Sequence, residues 1–266
     1  MRSILTFDCE GANLAATLDD AAGATGLLIV SGGNEIRIGA HRGMAMLAAE
    51  IAAHDYPVFR FDRRGIGDSE GLNGEFTSSS ADVNAALSAF RAACPHLKSI
   101  IAFGNCDAAS ALLLHQPRGV NGLVLANIWV IDRSDDLPPP AAIRARYLER
   151  LKDPRAWAQL FTGAINLRKL ANGLLRIAQP QKPSSLADGV AQGLTAFGGP
   201  VTILLAKGDA TAIAFADEWK KPAFDGARRR DDIETITLDS ASHSFASDED
   251  HAVLLQTLLK ALKSAA

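Results

Sequence analysis

Residues 98–116 read KSIIAFGNCDAASALLLHQ, and the parsing of this stretch decides the fold. Residues 98–104 form a short apolar run of strand length and composition. Residues 107–116 are rich in alanine and leucine and read as a helix. Only Asn105 and Cys106 stand between the two. A strand that turns this abruptly into a helix needs small residues around the bend, because the two backbones almost touch. Gly104, Ala108 and Ala109 meet that need. The residue at the tip of such a turn has a strained backbone and is exposed at the carboxyl edge of the sheet. Cys106 is at the tip, and the helix N-terminus beside it favours negative charge on its sulfur. An isolated cysteine in an apolar stretch is ordinarily a small buried hydrophobe, which is the reading for Cys9 and Cys94. The strand–turn–helix setting gives Cys106 a different one, that of a nucleophile.

Working outward, the same alternation recurs. GLLIV (26–30), PVFRF (57–61), NGLVLANIWV (121–130), PVTILLAKG (200–208) and DIETITLD (232–239) read as strands. HRGMAMLAAEIAAHD (41–55), SADVNAALSAFRAAC (80–94) and DEDHAVLLQTLLKALK (248–263) read as helices, the second opened by serines that can cap it. Continuous apolar strands separated by helices predict an α/β fold with a mostly parallel central sheet and helices on both faces. Residues 3–18 look like a leading antiparallel hairpin. The alternation breaks at 132–196, which reads as a helical cap or lid inserted into a core of 1–131 and 197–266. That segment holds ten Lys/Arg and six Asp/Glu, net +4, so the remaining residues carry −7 of the total −3. A positive lid would help recruit an anionic substrate.

The segment GDSEG (67–71) matches the serine-hydrolase pattern G-x-S-x-G, yet it lacks the setting. The strand before it ends at Phe61 and no helix begins until about residue 80. RFDRRGIGDSEG (60–71) also fails as a dinucleotide fingerprint, because its last spacing is wrong and no helix opens on it. It reads as a hydrogen-bonded loop tied together by Asp62, Arg64 and Asp68.

A thiol nucleophile needs a base and an orienting acid. His243 follows the last strand and precedes the last helix, whereas His54, His96, His115 and His251 fall on helices or at their ends. Asp209 ends the preceding strand; Asp132 is the alternative acid. Nucleophile, acid and histidine then follow in chain order, each in a loop at a strand's carboxyl end. Acyl transfer also needs two N–H donors for the oxyanion. The amide of Asp107 is one, and Gly33 or Asn34 in VSGGNEIR (30–37) the other. Arg37 and His41 are taken as substrate-binding.

A chain of 266 residues with 48% apolar residues can bury a substantial core, and a net charge of −3 gives no basic excess for nucleic acid. No signal peptide and no membrane-length apolar run is read. Three cysteines without C-x-x-C spacing argue against a disulfide scaffold or zinc site and point to the cytoplasm. No metal or cofactor is expected. The expected partner is a small acyl substrate, and a homo-oligomer is left open.

With these residues in place, the chain resembles the α/β-hydrolase superfamily over essentially its whole length. The segments RIGAHRG, RFDRRGIGDSEG, GNCDAAS, LLAKGDATA and SHSF fall in that superfamily's order. The cysteine elbow and the RFDRRGIGDSEG segment are most similar to the hydrolase 1 proteins that accompany exosortase A systems in polysaccharide-export loci. Dienelactone hydrolase is another cysteine-elbow relative, but Ala108 and Ala109 replace its glycines. The resemblance implies hydrolase chemistry but not a substrate; the residues themselves point to a cysteine hydrolase of esters, thioesters or lactones. Alternatives are an acyltransferase in polysaccharide modification and a non-catalytic binding member.

Overall fold

The computed structural model describes residues 1–132 and 184–266. Its centre is an eight-stranded sheet: β1 (Arg2–Cys9), β2 (Ala12–Asp19), β3 (Thr25–Val30), β4 (Val58–Phe61), β5 (Ser99–Asn105), β6 (Gly122–Ala126), β7 (Val201–Ala206) and β8 (Ile233–Leu238). The spatial order is β1-β2-β4-β3-β5-β6-β7-β8. β1 and β2 form the antiparallel hairpin, β2 runs antiparallel to β4, and every other pair is parallel. The hairpin turn places Glu10 and Gly11 both at positive φ, 54° and 84°, as a two-residue hairpin loop of this hand requires.

Alternate residues of each parallel strand are buried on opposite faces. Leu27, Ile29, Ile101, Phe103, Val124 and Leu204 pack with α1 (Gly43–Ala53) and the C-terminal helix Asp248–Ser264. Leu28, Val30, Ile100, Ala102, Leu123 and Ile203 pack with α2 (Ser80–Ala93) and α3 (Asp107–His115). Burial on both faces is why these strands read as unbroken apolar runs rather than as alternating ones. From β3 the chain winds first to β4 on one side and then to β5 on the other. The winding therefore reverses at β3, and in sheets of this kind ligands bind beside the carboxyl ends of the strands at such a reversal.

Several local expectations change. β6 ends at Ala126 rather than running to 130, because Asn127 adopts φ 42° and turns the chain off the sheet. Ser79 stands at the N-cap of α2, but its hydroxyl donates to the carbonyl of Phe76 instead of accepting from the helix. Helix α4 (Ser185–Ala196) buries Ala187, Val190, Ala191 and Leu194 in the main core, so these residues belong to the core and not to an inserted cap. Helix α5 (Ala210–Glu218), which the sequence reading passed over, follows β7 directly.

The rest of the expected cap, 133–183, lies outside the described residues. The two ends flanking it meet: Asp132 accepts from the amides of Ser185 (3.0 Å) and Leu186 (3.3 Å), and Ser184 Oγ donates to the carbonyl of Val130 (3.0 Å). The chain leaves and re-enters the core at one point. Asp132, the alternative acid, is thereby tied to the start of α4.

Candidate active site

Cys106 lies between the last residue of β5 and the first of α3, at φ 60° and ψ −125°. That backbone is costly for a residue with a side chain and persists where surroundings over-determine it. The bracing comes from the end of β6: Cys106 N donates to Ala126 O (3.0 Å), Trp129 N donates to Cys106 O (3.2 Å), and Ser110 Oγ donates to Trp129 O (2.5 Å). Gly104 has to be glycine. A Cβ there would lie 2.8 Å from the carbonyl carbon of Ala108 and 2.8 Å from the amide of Ala109, which is backbone that cannot give way. Cys106 is partly exposed, whereas Cys9 and Cys94 are buried.

Asp209 ends the loop after β7 and caps α5, its Oδ1 accepting from the amides of Thr211 and Ala212, both at 3.0 Å. Its other oxygen, Oδ2, is 3.0 Å from His243 Nδ1. One carboxylate thus holds a helix and a histidine together, and the cap fixes its orientation. Burial opposes ionisation of Asp209, but the hydrogen bond from His243 and those from the two amides prevail and hold its pKa below the ordinary value. The loop bearing His243 is zipped to the loop bearing Asp209, with Lys207 N donating to Leu238 O (2.9 Å) and Gly208 N to Ser240 O (2.8 Å).

The imidazole is hydrogen-bonded to Asp209. That bond, and next the neighbouring Cys106 sulfur, outweigh desolvation and raise the His243 pKa to about 10. Sequence positions 106, 209 and 243, on three separate loops, are therefore in one chain of contacts at the carboxyl edge of the sheet. His41, by contrast, is exposed in the turn before α1.

Two expectations for the neighbouring groups are corrected. Gly33 N–H is already committed, donating to Asp107 Oδ1 at 2.6 Å, so Gly33 is not a free donor; Asn34 next to it is exposed. Arg37 is buried, and its guanidinium pairs with Asp62 and with Asp68 (2.9 Å) while Nε donates to Thr17 (3.2 Å). Arg37 thus pairs with one buried and one exposed carboxylate of the loop. Arg64, expected to tie that loop, points elsewhere, to Asp82 (2.5 Å) and Glu10 (2.5 Å).

Ser69 of the GDSEG segment is structural. Its Oγ donates to Asp62 O (2.7 Å) and accepts from Ala15 N (2.9 Å), which extends the β2–β4 ladder by one side-chain rung. Glu70 continues this pairing, its amide donating to Asn13 O at 3.0 Å.

The sequence reading missed two asparagines. Asn105 Nδ2 and Asn127 Nδ2 both donate to the backbone carbonyl of His243, at 3.0 and 3.2 Å. Nothing in the local pattern marks them, because the acceptor is main chain more than a hundred residues away.

Residues 26–179, more than half of the chain, match the family model described as Serine aminopeptidase, S33 (Hydrolase_4). The chain belongs to the serine aminopeptidase S33 family. Its fold is the α/β-hydrolase fold, and it is an α/β hydrolase. The S33 match ends before Asp209 and His243, and the family's description names a serine enzyme, while the residue at the elbow of this chain is Cys106. No curated protein matches the sequence. Among solved structures, the Pyrococcus furiosus esterase Pf2001 is similar over 100% of this S33-family chain and 91% of its own, with TM-score 0.69 and 15% identity. The proline iminopeptidase of Mycobacterium smegmatis is similar over 99% of this chain and 100% of its own, with TM-score 0.61 and 17% identity. At such identities the likeness bears on the fold alone. Among the described residues of this family member, no helix is long and apolar enough to cross a membrane.

Proposed function

We propose that the protein is a cysteine-dependent hydrolase of small ester, thioester or lactone substrates, with Cys106 as nucleophile, His243 as proton carrier and Asp209 as the acid that orients it. The observation behind this reading is the imidazole of His243, hydrogen-bonded to Asp209 and near enough to the Cys106 sulfur for the sulfur to help raise its pKa. Residues packed only for stability have no need to put a thiol at a strained, partly exposed turn facing a histidine.

In the first half-reaction the Cys106 sulfur, its proton held on the His243 imidazole, attacks the carbonyl carbon. A carbon–sulfur bond forms, and the carbonyl electrons move onto oxygen. The amide of Asp107 and that of Asn34 stabilise this oxyanion. The bond to the leaving group then breaks as the imidazolium returns its proton, leaving an acyl-thioester on Cys106. In the second half, His243 takes a proton from water, the hydroxide attacks the thioester carbonyl, and the carbon–sulfur bond breaks to release a carboxylic acid and the free thiol. Asp209 stays ionised and fixes the tautomer throughout.

An aryl ester and an acyl-thioester assay on the whole protein tests the assignment, with Cys106→Ala beside Ser69→Ala. Cys106→Ala is expected to lose more than about 10⁴-fold in turnover, while Ser69→Ala keeps most of it per folded molecule. Turnover that survives both Cys106→Ala and iodoacetamide would reject the thiol mechanism.

A further inference from the structure

We infer that Asn105 and Asn127 are positioning residues for His243: by jointly gripping its backbone carbonyl they hold the imidazole between Asp209 and the Cys106 sulfur. This rests on the functional reading above, although its central readout does not.

The two side chains come from adjacent parallel strands. Asn105 is the last residue of β5, next to Cys106, and Asn127 directly follows β6. Each presents Nδ2 to the same oxygen, at 3.0 and 3.2 Å. Asn127 does more. Its Oδ1 accepts from Ala206 N (3.0 Å) and its own amide donates to Leu204 O (3.0 Å), both on β7, the strand that leads to Asp209. Asn127 therefore joins the strand of the acid to the loop of the base, and Asn105 joins the strand of the thiol to that same loop. All three reacting groups are referenced to one carbonyl.

Asn105 is held at a cost to stability, which separates positioning from ordinary packing. Asn127 is completely buried at φ 42°, a backbone that asparagine adopts more readily than most residues with a side chain. Asn105 Oδ1 is buried with no hydrogen-bond partner among the described residues, an arrangement that penalises folding. A side chain kept only for stability would not leave its acceptor unsatisfied. What each retains is the donor. With the carbonyl fixed from one side and Nδ1 fixed by Asp209 from the other, the ring has little freedom left. Preorganisation of this kind matters because a displacement of about 1 Å at a reacting group can cost about a hundredfold in rate.

The test uses Asn105→Ala, Asn127→Asp and the double variant of the full chain. Asn127→Asp tolerates positive φ and can still accept from Ala206 N–H but cannot donate to the His243 carbonyl. Asn127→Ser, which can still donate, is the conservative rescue. Two quantities are read on protein whose circular dichroism matches wild type: the NMR titration midpoint of the His243 imidazole, whose titrating partners are Cys106 and Asp209, and the rate of Cys106 acylation by an aryl ester, followed by mass spectrometry. The midpoint is expected to fall from about 10 towards the ordinary histidine value of about 6.5. Acylation is expected to slow about tenfold in each single variant and about a hundredfold in the double, with partial recovery in Asn127→Ser. An unmoved midpoint together with wild-type acylation in a folded double variant overturns the positioning role while leaving the thiol mechanism intact. A midpoint that falls in protein whose Cys106 is never acylated, even in wild type, upholds the positioning role and rejects the thiol mechanism instead.

Discussion

The amide of Gly33 donates to the carboxylate of Asp107 at 2.6 Å, which makes the turn after β3 and the first turn of α3 a single unit. Arg63 completes it. Its buried guanidinium donates to the carbonyl of Gly33 and is attracted by the charge of Asp107. Gly32 also belongs to this contact, since a Cβ there would lie 2.6 Å from Asn105 O and 2.8 Å from Asp107 Oδ1. The carboxylate at the helix N-terminus thus pulls the loop against the elbow and is favourably placed in the helix dipole.

Asp107→Ala is therefore expected to destabilise the protein by about 2 kcal/mol, since it leaves Arg63 buried beside one fewer carboxylate and an amide without its acceptor. Urea denaturation measures this directly. The same variant is expected to lower the acylation rate of Cys106, because the loop bearing Asn34 loses its anchor. A faster acylation would instead mean that the carboxylate obstructs the Gly33 amide and that Gly33 is the second oxyanion donor after all.

The three thiols should be sharply distinguishable. Burial and the neighbouring charge of Asp82 push the Cys9 thiol up to about 11, and burial with Asp20 nearby pushes Cys94 up to about 11. Both are enclosed in the core, while Cys106 is partly exposed. Iodoacetamide near neutral pH is expected to add one carbamidomethyl group to the native protein, at Cys106, and three after denaturation. Peptide mass spectrometry that finds Cys9 or Cys94 modified as fast as Cys106 in native protein would contradict this placement.

The His243–Asp209 pair should leave a signature in stability. His243 is raised to about 10 in the folded protein, above its value of about 6.5 when unfolded. Its contribution is fully present below about pH 6.5 and is lost as the pH rises through about 10. Asp209 is lowered, so its contribution is present above its unfolded value and is lost as the pH falls towards the folded one. The melting-temperature gap between wild type and His243→Ala is thus expected to be largest near pH 6 and to shrink by about pH 11. A gap that stays constant over that range would mean that the imidazole is not held as a cation by its neighbours.

Much of this was legible before any coordinates. Short apolar runs separated by helical stretches anticipated six of the strands, because a strand buried on both faces must be apolar throughout. The strand–helix bend at Cys106 could be told from the GDSEG loop by the small residues around it, since steric need at such a bend is local. The segment 132–196 misled in its last part. Ser185–Ala196 follows an irregular composition, yet its alanines and Leu194 pack against the sheet, and no local rule separates a core helix from a helix in an insert. The brace around Arg37 was also out of reach, because an arginine in a loop reads as a solvent-exposed charge until its two carboxylates are brought to it.

By itself the amino-acid sequence determined the sheet, its helical cover and the identity of the turn on which the thiol stands, since periodicity and side-chain size act over a few residues. Tertiary structure alone decided which acid faces His243, that the Gly33 amide is occupied, that Ser69 is a rung of the ladder, and that two asparagines converge on one carbonyl. Those outcomes depend on hydrogen bonds between groups far apart along the chain, and a directional bond of that length exists only once folding has set both ends in place.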